Sequence, residues 1–360
     1  MGDDRDGTAV VPPVGQTGQE PGRRRGRRWF WILVVTGALV LIGSGVVAFG
    51  PTLLLDRYDS KVQRADILGD IPTPTPPPNA PVDLRPMNFL ILGSDSRSPD
   101  ARGFDATGDR SDTIMIVHIP EGHRSAFIFS IPRDSYVSVP ATGDWPGGKN
   151  KINAAMAYGG ASAAARTVYE LTKIPLSGAF VVNFGGIRRM VEVVGKVHVC
   201  IPYTVHSTFS SMVWTKGCHD MGPAETEEFV RQRKGTPAGD FARMYQQQLV
   251  IKALARQIAS AGMLTNPLKL DRLISIAAES VTVDKNTDLR TLIMQLKDIP
   301  PENIQTATTP WSGLGSEAVG SVVYLNMPAA QELFQAVIDD RTDAWLTAHP
   351  QGIPSWNPPE

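Results

Sequence analysis

An uncharged stretch of 27 residues, Trp29–Leu55, constrains the fold of this 360-residue chain more than any other feature of its sequence. As an α-helix it would be about 40 Å long at about 1.5 Å per residue, enough to cross a hydrocarbon core of about 30 Å. Trp29, Phe30 and Trp31 stand where aromatic side chains anchor a helix in the membrane interface. The stretch therefore predicts one membrane-spanning helix.

The charges on either side of this stretch predict its orientation. Six arginines and four acidic residues precede it, whereas acidic and basic residues alternate after it. Because basic flanks stay inside the cell, we expect a cytoplasmic N-terminus and an extracellular remainder. A cleaved signal peptide is the alternative, but the apolar stretch is long and no clear cleavage site follows it. We therefore expect a single-pass protein of the cell membrane with an uncleaved signal anchor.

Composition divides the chain into five predicted parts. The order is a disordered basic tail (1–28), the span (29–55), a juxtamembrane segment with a proline-rich stalk (56–86), one large extracellular domain (87–345) and a C-terminal tail (346–360). The stalk is predicted because seven prolines lie between Pro72 and Pro86, and such segments are stiff and extended. The net charge of -1 provides no field that would attract nucleic acid, so we expect no nucleic-acid partner.

The chain has two cysteines, Cys200 and Cys218. Outside the membrane an even pair usually forms a disulfide. A metal site with the nearby His198, His206 and His219 is the alternative, although no closely spaced Cys-x-x-Cys pair supports it.

The predicted extracellular domain alternates strands with helices. Continuous apolar runs predict strands at Asn88–Leu92, Asp112–Ile119 and Ser125–Ile131, and the short turn between the last two makes them antiparallel neighbours. Helices and further strands follow, so we expect a layered α/β domain with a central mixed β-sheet flanked by helices.

Acidic and basic residues cluster at the ends of these three strands. Asp95 and Arg97 follow the first, Arg110 and Asp112 begin the second, and Arg133 and Asp134 follow the third. If the second strand runs opposite to the others, all of them meet at one sheet edge. Arginines bind phosphoryl oxygens and carboxylates bind Mg²⁺, so the pattern favours a phosphate site with a divalent cation. The alternative is that these residues only occupy turns.

A fourth polar set lies on two predicted helices, Ala224–Lys234 and Asp240–Ala261, the second with Asp240 as its N-cap. The buried stripe of the second helix is apolar in its C-terminal half and polar in its N-terminal half. This pattern favours an anionic ligand near the helix N-terminus, or an Asp240–Arg243 pair that only holds the helix start. The polar set consists of Arg231, Arg233, Asp240, Arg243 and Gln247.

Five segments together resemble the LytR–CpsA–Psr family of cell-wall glycopolymer phosphotransferases, over residues 87 to about 345. They are FLILGSDSR, RSDTIMIVHI, FIFSIPRDSYV, KINAAMAYGGA and VRQRKGTPAGDFARMYQQQLVIKAL. The resemblance implies an enzyme that moves a polyprenyl-pyrophosphate-linked glycopolymer onto a peptidoglycan hydroxyl as a phosphodiester. It also implies Mg²⁺ or Mn²⁺ as cofactor and an apolar tunnel for the lipid tail. The predicted extracellular domain would then be the catalytic domain.

The resemblance also implies roles for individual residues. The implied metal ligands are Asp95 and Asp112, and the implied catalytic residues are Arg133, Arg231, Arg233 and Asp240, the last as base for the acceptor or as a partner that orients the arginines. The implied pyrophosphate-binding residues are Arg97, Arg110, Arg133, Lys151, Arg231, Arg233, Arg243 and Gln247. Gln246 stands where the family often has arginine, so one positive charge is missing.

Two other functions remain open at the level of sequence. One is a polyprenyl pyrophosphate hydrolase, in which water replaces the peptidoglycan hydroxyl. The other is a non-catalytic protein that binds a lipid-linked sugar or regulates its use. The missing arginine at Gln246 is the only feature that favours the second, and the set of Asp112, Arg133, Arg231 and Arg233 argues against it.

Overall fold

A computed structural model describes residues 62–74, 85–94, 111–183, 185–232, 236, 240–260, 267–289, 292, 299 and 303–349. The predicted basic tail and the predicted span, 29–55, lie outside these residues, and the span stays a prediction. None of the helices that the structure describes is both long and apolar enough to cross a bilayer.

The described residues form strands and helices in alternation. The strands are β1 Gln63–Ala65, β2 Met87–Ser94, β3 Ser111–Ile119, β4 Ala126–Ile131, β5 Tyr136–Val139, β6 Gly148–Lys151, β7 Gly178–Asn183, β8 Val197–Ile201, β9 Val205–His206, β10 Val213–Trp214, β11 Gly217–Met221, β12 Val281–Asp284, β13 Ile304–Thr308, β14 Trp311–Glu317 and β15 Gly320–Leu325. The helices are α1 Ala154–Thr172, α2 Gly185–Val194, α3 Pro223–Val230, α4 Asp240–Ser260, α5 Pro267–Glu279, α6 Met327–Ile338 and α7 Thr342–Ala348.

The central sheet has the strand order β1-β12-β7-β2-β3-β4-β13. β3 is antiparallel to both β2 and β4, whereas β2 and β7 are parallel. The predicted mixed sheet is therefore confirmed. Because β3 runs opposite to its neighbours, the end of β2, the start of β3 and the end of β4 share one edge, which we call the loop edge.

Side chains that alternate along β2 and β3 supply two separate apolar layers, because successive residues of a strand point to opposite faces. Phe89 and Val117 belong to the layer that contains α2, α3, α4 and α5. Leu90 and Ile116 belong to the opposite layer, which contains α1, α6 and α7. The predicted helices on the sheet are thus confirmed on both faces.

The folded domain begins before the predicted boundary at residue 87. β1 pairs in parallel with β12 at one end of the sheet, and Ile67 and Leu68 are buried in the core. The carbonyl of Pro72 also accepts a hydrogen bond from the Leu176 amide at 2.9 Å. Residues 62–74 are therefore part of the domain and not part of a stalk; the strand has three residues, too few for its pattern to stand out among alternating charges.

Two further boundaries differ from the predictions. The domain continues through α7, where Trp345 is buried against Phe127, so it extends beyond residue 345. Helix α3 ends at Val230 instead of Lys234, since Gln232 turns away to bond a neighbouring hairpin. α4 begins at Asp240 and ends at Ser260, within one residue of the predicted helix.

Candidate functional site

The turn after β4 brings a guanidinium, a carboxylate and an ammonium group together at the loop edge. Arg133 Nε lies 3.6 Å from Asp134 Oδ2, and Lys151 Nζ lies 3.3 Å from Asp134 Oδ1. All three side chains are largely buried, with 14–21% of each exposed. The Asp134 carboxylate thus lies between two cations. These three side chains together carry one net positive charge, which favours an anionic ligand.

Backbone hydrogen bonds hold this turn in place. The amide of Asn153 donates to the carbonyl of Arg133 at 3.1 Å, and the amide of Ile152 donates to that of Ser135 at 2.9 Å. On the other side the Val323 amide donates to the carbonyl of Asp134 at 2.9 Å. The segment Lys151–Asn153 therefore fixes the chain that carries Arg133, in addition to supplying a cation.

A buried hydrogen bond joins α4 to the start of β3. Thr113 Oγ1 donates to Gln247 Oε1 at 2.8 Å, and Gln247 Nε2 lies 3.5 Å from the carbonyl of Val230, the last residue of α3. Gln247 is 3% exposed, so both ends of its amide are directed by these contacts. As a result, Arg231, which follows Val230, lies at the same edge as β3.

The register of β3 and β4 relates two other predicted residues. Ile114 pairs with Ile131, and the antiparallel register continued by two residues brings Asp112 opposite Arg133. Asp112 and Arg133 are therefore neighbours where β3 begins and β4 ends. The backbone agrees with the prediction that acidic and basic residues meet at one edge of the sheet. The structure describes the backbone of Asp112 and not its side chain.

The remaining arginines of the set are near α3 and on α4. Arg231 Nη1 is paired with Glu227 Oε1 at 2.8 Å, one turn earlier on α3, and about a third of its side chain is exposed. Arg243 is 2% exposed, so its guanidinium is held in the apolar layer beneath the edge. The predicted polar half of the α4 stripe is therefore confirmed at Arg243 and Gln247.

Gln246, the position where an arginine is missing, is fully buried. Its side chain faces the hydroxyl of Tyr203, which is also 3.4 Å from the carbonyl of Ala242. Burial raises the pKa of Tyr203 strongly, and the contact with Gln246 opposes this only in part. A neutral amide beside a neutral phenol leaves this part of the layer without charge.

Several predicted site residues lie outside what the structure describes. Asp95, Arg97, Arg110 and Arg233 belong to segments that are not described, and Asp240 is described only as the first residue of α4. The roles of the metal ligands and of the base therefore stay predictions. The residues that the structure does bring to the loop edge are Arg133, Lys151, Arg231 and Gln247.

The structure joins Cys200 and Cys218 in a disulfide. The two cysteines face each other across the antiparallel strands β8 and β11, and both lie on the exposed face of this pair. His198 lies beside them, with Nε2 3.7 Å from Cys200 Sγ and Nδ1 2.7 Å from Asp220 Oδ1. The alternative of a metal site is not favoured, since sulfur atoms in a disulfide are not thiolates.

Two residues at the loop edge were given no role in the predicted site, although Asp134 was expected at this edge. Asp134 contacts both Arg133 and Lys151, and Thr113 holds Gln247. The signal for Asp134 was its position directly after a strand end. Thr113 had none, because a threonine within an apolar strand is ordinary and its partner is 134 residues away.

These observations define a three-layer α/β protein with charged side chains gathered at one edge of its sheet, and comparison with known proteins identifies its family. Residues 71–338 match the LytR_cpsA_psr family. The chain belongs to this family, as its sequence motifs predicted.

Individual relatives agree with this assignment. LcpB of Corynebacterium glutamicum, a probable cell wall biosynthesis protein, is 30% identical over 308 residues, which cover 82% of this chain and 70% of LcpB. TagU of Bacillus mycoides, a polyisoprenyl-teichoic acid–peptidoglycan teichoic acid transferase, is 29% identical over 241 residues, 66% of this chain and 73% of TagU. The crystal structure of TagV from Bacillus subtilis has a TM-score of 0.56 at 24% identity, covering 71% of this chain and 97% of TagV, which shows a shared fold.

Proposed function

We propose that this protein is a membrane-anchored phosphotransferase that moves a polyprenyl-pyrophosphate-linked glycopolymer onto a peptidoglycan hydroxyl. The observation that carries the proposal is the cationic cluster of Arg133 and Lys151 around Asp134, next to the strand start that Gln247 links to α3. The name of TagU supports the donor and the acceptor, because that relative transfers a polyisoprenyl-linked teichoic acid to peptidoglycan.

Pyrophosphate chemistry suits a site of this kind. The acceptor hydroxyl oxygen forms a bond to the phosphorus that carries the glycopolymer, the bridging P–O bond breaks, and polyprenyl phosphate leaves. Such transfers need positioning and charge stabilisation more than covalent catalysis, so arginine and lysine side chains can supply most of what is required. In this proposal Arg133, Lys151 and Arg231 bind the pyrophosphate oxygens, and Arg97, Arg110, Arg233 and Arg243 add to them.

The proton of the acceptor hydroxyl needs a base at the loop edge. We assign this role to Asp240, the first residue of α4, which carries the only carboxylate in the polar half of the helix. Arg231 and Arg233 would then stabilise the charge that develops on the transferred phosphoryl group. Gln247 keeps α4 in register with β3, so that Asp240 stays near the strand ends.

A divalent cation fits the residue types at this edge. Asp95 and Asp112 would hold Mg²⁺ or Mn²⁺, since carboxylate oxygens and substrate phosphates are the ligands that Mg²⁺ prefers. The ion would neutralise part of the pyrophosphate charge. Asp134 is a less suitable ligand, because Arg133 and Lys151 already contact both of its oxygens.

The lipid part of the donor requires a site near a membrane. The predicted span at 29–55 would supply the anchor, with the catalytic domain outside the cell. A single anchored chain could then reach both a lipid-linked donor in the bilayer and peptidoglycan beyond it.

Removal of Arg133 tests the proposed site. In the full chain, Arg133→Ala and Asp112→Ala should each lower the rate of phosphate transfer from a short-chain polyprenyl pyrophosphate in the presence of Mg²⁺. Loss of one charged group that stabilises the transition state costs about 10²–10³ in rate, and we expect a decrease of this size. The rate is measured by chromatography of the polyprenyl phosphate product.

The matched control is Arg166→Ala on α1. Arg166 is 66% exposed and pairs only with Glu170 one turn away, so its loss should leave the rate unchanged. Wild-type rates in the Arg133 variant would contradict the site assignment. Transfer to water at the same rate with and without peptidoglycan would instead favour the hydrolase.

A further inference from the structure

The β9–β10 hairpin exposes three apolar side chains at its tip. Phe209, Met212 and Val213 are 64%, 38% and 46% exposed, and they make up three of the five large hydrophobic residues that are exposed in the described part of the chain. The other two, Leu314 and Ile338, lie on different elements. We call Phe209, Met212 and Val213 the apolar tip. A cluster of this kind on a soluble surface usually marks a contact site.

Hydrogen bonds hold the apolar tip rigidly. The amides of Phe209 and Ser210 donate to Ser207 Oγ at 2.9 and 3.0 Å, and Ser210 Oγ donates to Glu228 at 2.6 Å. Ser207 Oγ also donates to Glu228. A flexible turn would fold its hydrophobic side chains back against the domain. This turn is held by several hydrogen bonds, so its hydrophobic side chains stay in solvent.

The same hairpin is tied to the candidate site. The Thr208 amide donates to Gln232 Oε1 at 3.0 Å, and Gln232 is fully buried. In the sequence Gln232 stands between two residues of the proposed site, Arg231 and Arg233. Through Val230 and Gln247 this contact continues to the start of β3. The apolar tip is therefore on the side of the domain that carries the loop edge.

The chain also enters the domain from this side. Strand pairings connect the first residue of β1 to the end of the central strands in one row across the sheet: Gln63, Thr282, Val181, Leu92, Ile114 and Ile131. Asp112 and Arg133 are two residues beyond this row. The N-terminus of β1 thus lies on the side of the loop edge.

The connection to the predicted span is short. Seven residues, 56–62, separate Leu55 from Gln63, and at about 3.6 Å per residue they reach at most about 25 Å. The proline-rich segment comes after β1, so it adds nothing to this reach. A short tether at the loop edge keeps that edge close to the bilayer.

We infer that the apolar tip is a membrane-docking element that inserts into the headgroup region and holds the loop edge against the bilayer. The inference deepens the proposed function and rests on the anchor proposed there. Aromatic and aliphatic side chains are those that enter the interface. Residues 203–217 themselves contain Lys216 and no acidic residue, and the Glu228 carboxylate that contacts the turn accepts hydrogen bonds from Ser207 and Ser210. A lipid surface is therefore compatible with the polarity of the hairpin.

The test uses the full chain in vesicles of phosphatidylcholine and phosphatidylglycerol. A photoreactive benzoylphenylalanine replaces Phe209, and in a matched protein it replaces Ile338, an exposed apolar residue whose helix ends near the β3–β4 turn at the opposite edge of the sheet. After irradiation, mass spectrometry should find lipid adducts at position 209 at least ten times more often than at position 338. This readout requires no catalysis, so it is independent of whether the protein transfers a glycopolymer.

The outcomes separate docking from its alternatives. Equal lipid adducts at both positions, or none at 209, would overturn the inference, and so would adducts of 209 with a second copy of the chain. Failure of the protein to co-sediment with vesicles would overturn it together with the anchor. As a second readout, Phe209→Ser with Met212→Ser should lower transfer from a bilayer-embedded donor at least tenfold and leave transfer from a short-chain donor in detergent unchanged, whereas Ile338→Ser should change neither.

Discussion

Gln247 shows how one side chain can align three elements at a candidate site. Its side-chain oxygen accepts a hydrogen bond from the Thr113 hydroxyl on β3, and its side-chain nitrogen approaches the last carbonyl of α3. Its own backbone belongs to α4. An amide can do this because it has a donor and an acceptor on one planar group. Its burial next to Arg243 explains why the stripe of α4 is polar where the helix meets the loop edge.

Substitution of Thr113 by valine tests the contribution of this contact. Thr113→Val keeps the shape of the side chain but removes the donor, so Gln247 Oε1 loses its partner inside the protein. We expect the free energy of unfolding to fall by about 1–3 kcal/mol, the cost of an unsatisfied buried polar group. Thermal unfolding followed by near-UV circular dichroism measures the change.

Thr167→Val is the matched control for this substitution. Thr167 is also fully buried, but its hydroxyl donates to the carbonyl of Ala163 in the same helix, at 2.7 Å. That carbonyl also accepts a backbone hydrogen bond within the helix. Loss of the Thr167 hydroxyl should therefore destabilise the protein less than loss of the Thr113 hydroxyl. Equal effects of the two substitutions would contradict the role assigned to Gln247.

Residue types at the site were predictable to the extent that they stood beside recognisable strand and helix ends. Arg133 and Arg231 met this condition, because Pro132 marks the end of a strand and the Gly-Thr-Pro sequence after Lys234 marks the end of a predicted helix. Lys151 came from the family resemblance, since nothing in the pattern of a four-residue strand singles it out. Thr113 could not be found, because its meaning depends on a partner that only the tertiary fold brings near.

At the scale of elements, a contact between a buried histidine and a carboxylate links β3 to the turn after α6, on the edge opposite the site. His118 is fully buried, with Nδ1 2.8 Å from Asn88 Oδ1 and Nε2 2.9 Å from Asp340 Oδ1. Asp340 Oδ2 accepts the amide of Glu121 at 3.0 Å. This clamp fixes the α6–α7 turn, and through it the position of one helical layer on the sheet.

The Asp340 carboxylate makes the clamp sensitive to acid. Burial alone would raise the pKa of Asp340, but contacts with His118 and the Glu121 amide outweigh it and hold the pKa below its usual value of 3.8. A depressed pKa means that the stabilisation is complete above about pH 4 and is lost as the pH falls through the lower, folded value. Asp340→Asn should therefore destabilise the protein by about 1.5–3 kcal/mol at pH 7, because it removes a charged acceptor from the Glu121 amide and from His118.

The difference between wild type and variant should shrink as the pH falls below about 4, since both then lack the charge. Unfolding temperatures measured between pH 3 and pH 7 test this expectation. Asp144→Asn serves as control, because Asp144 is exposed in a loop and its change should stay within about 0.5 kcal/mol at every pH. A constant difference for Asp340→Asn across this range would argue against a stabilising Asp340 carboxylate.

Sequence periodicity predicted most elements of the fold but not all of their boundaries. β2, β3, β4 and α4 were predicted within two residues, because long apolar runs identify the strands and a helical stripe identifies α4. Helix α3 ended earlier than predicted, since the contact of Gln232 with the hairpin replaces another helical turn. Such a tertiary contact leaves no mark on local periodicity.

At the scale of the whole molecule, the α/β class and mixed sheet followed from the sequence, but the extent of the domain did not. The predicted domain starts at 87, whereas β1 and the buried Ile67 and Leu68 complete the sheet and core from the other side of the prolines. Three strand residues separated from the rest by about twenty positions cannot be recognised by pattern. Their position also changes the role of the prolines, from a predicted stalk to a connection between β1 and β2.

A comparison of two fragments tests where the domain begins. The fragment 62–360 retains β1, whereas 87–360 lacks it and leaves β12 unpaired on that side. The shorter fragment also loses the burial of Ile67 and Leu68, each worth about 1.5–3 kcal/mol, and the amides of both residues, which donate to the buried Asp284 carboxylate at 2.9 and 3.0 Å. We therefore expect 87–360 to be less stable by at least about 3 kcal/mol in urea unfolding. If it does not fold, Ile67→Ala in 62–360 should still cost about 2–4 kcal/mol by the same measurement, and an unchanged stability in that variant would place the domain boundary back at residue 87.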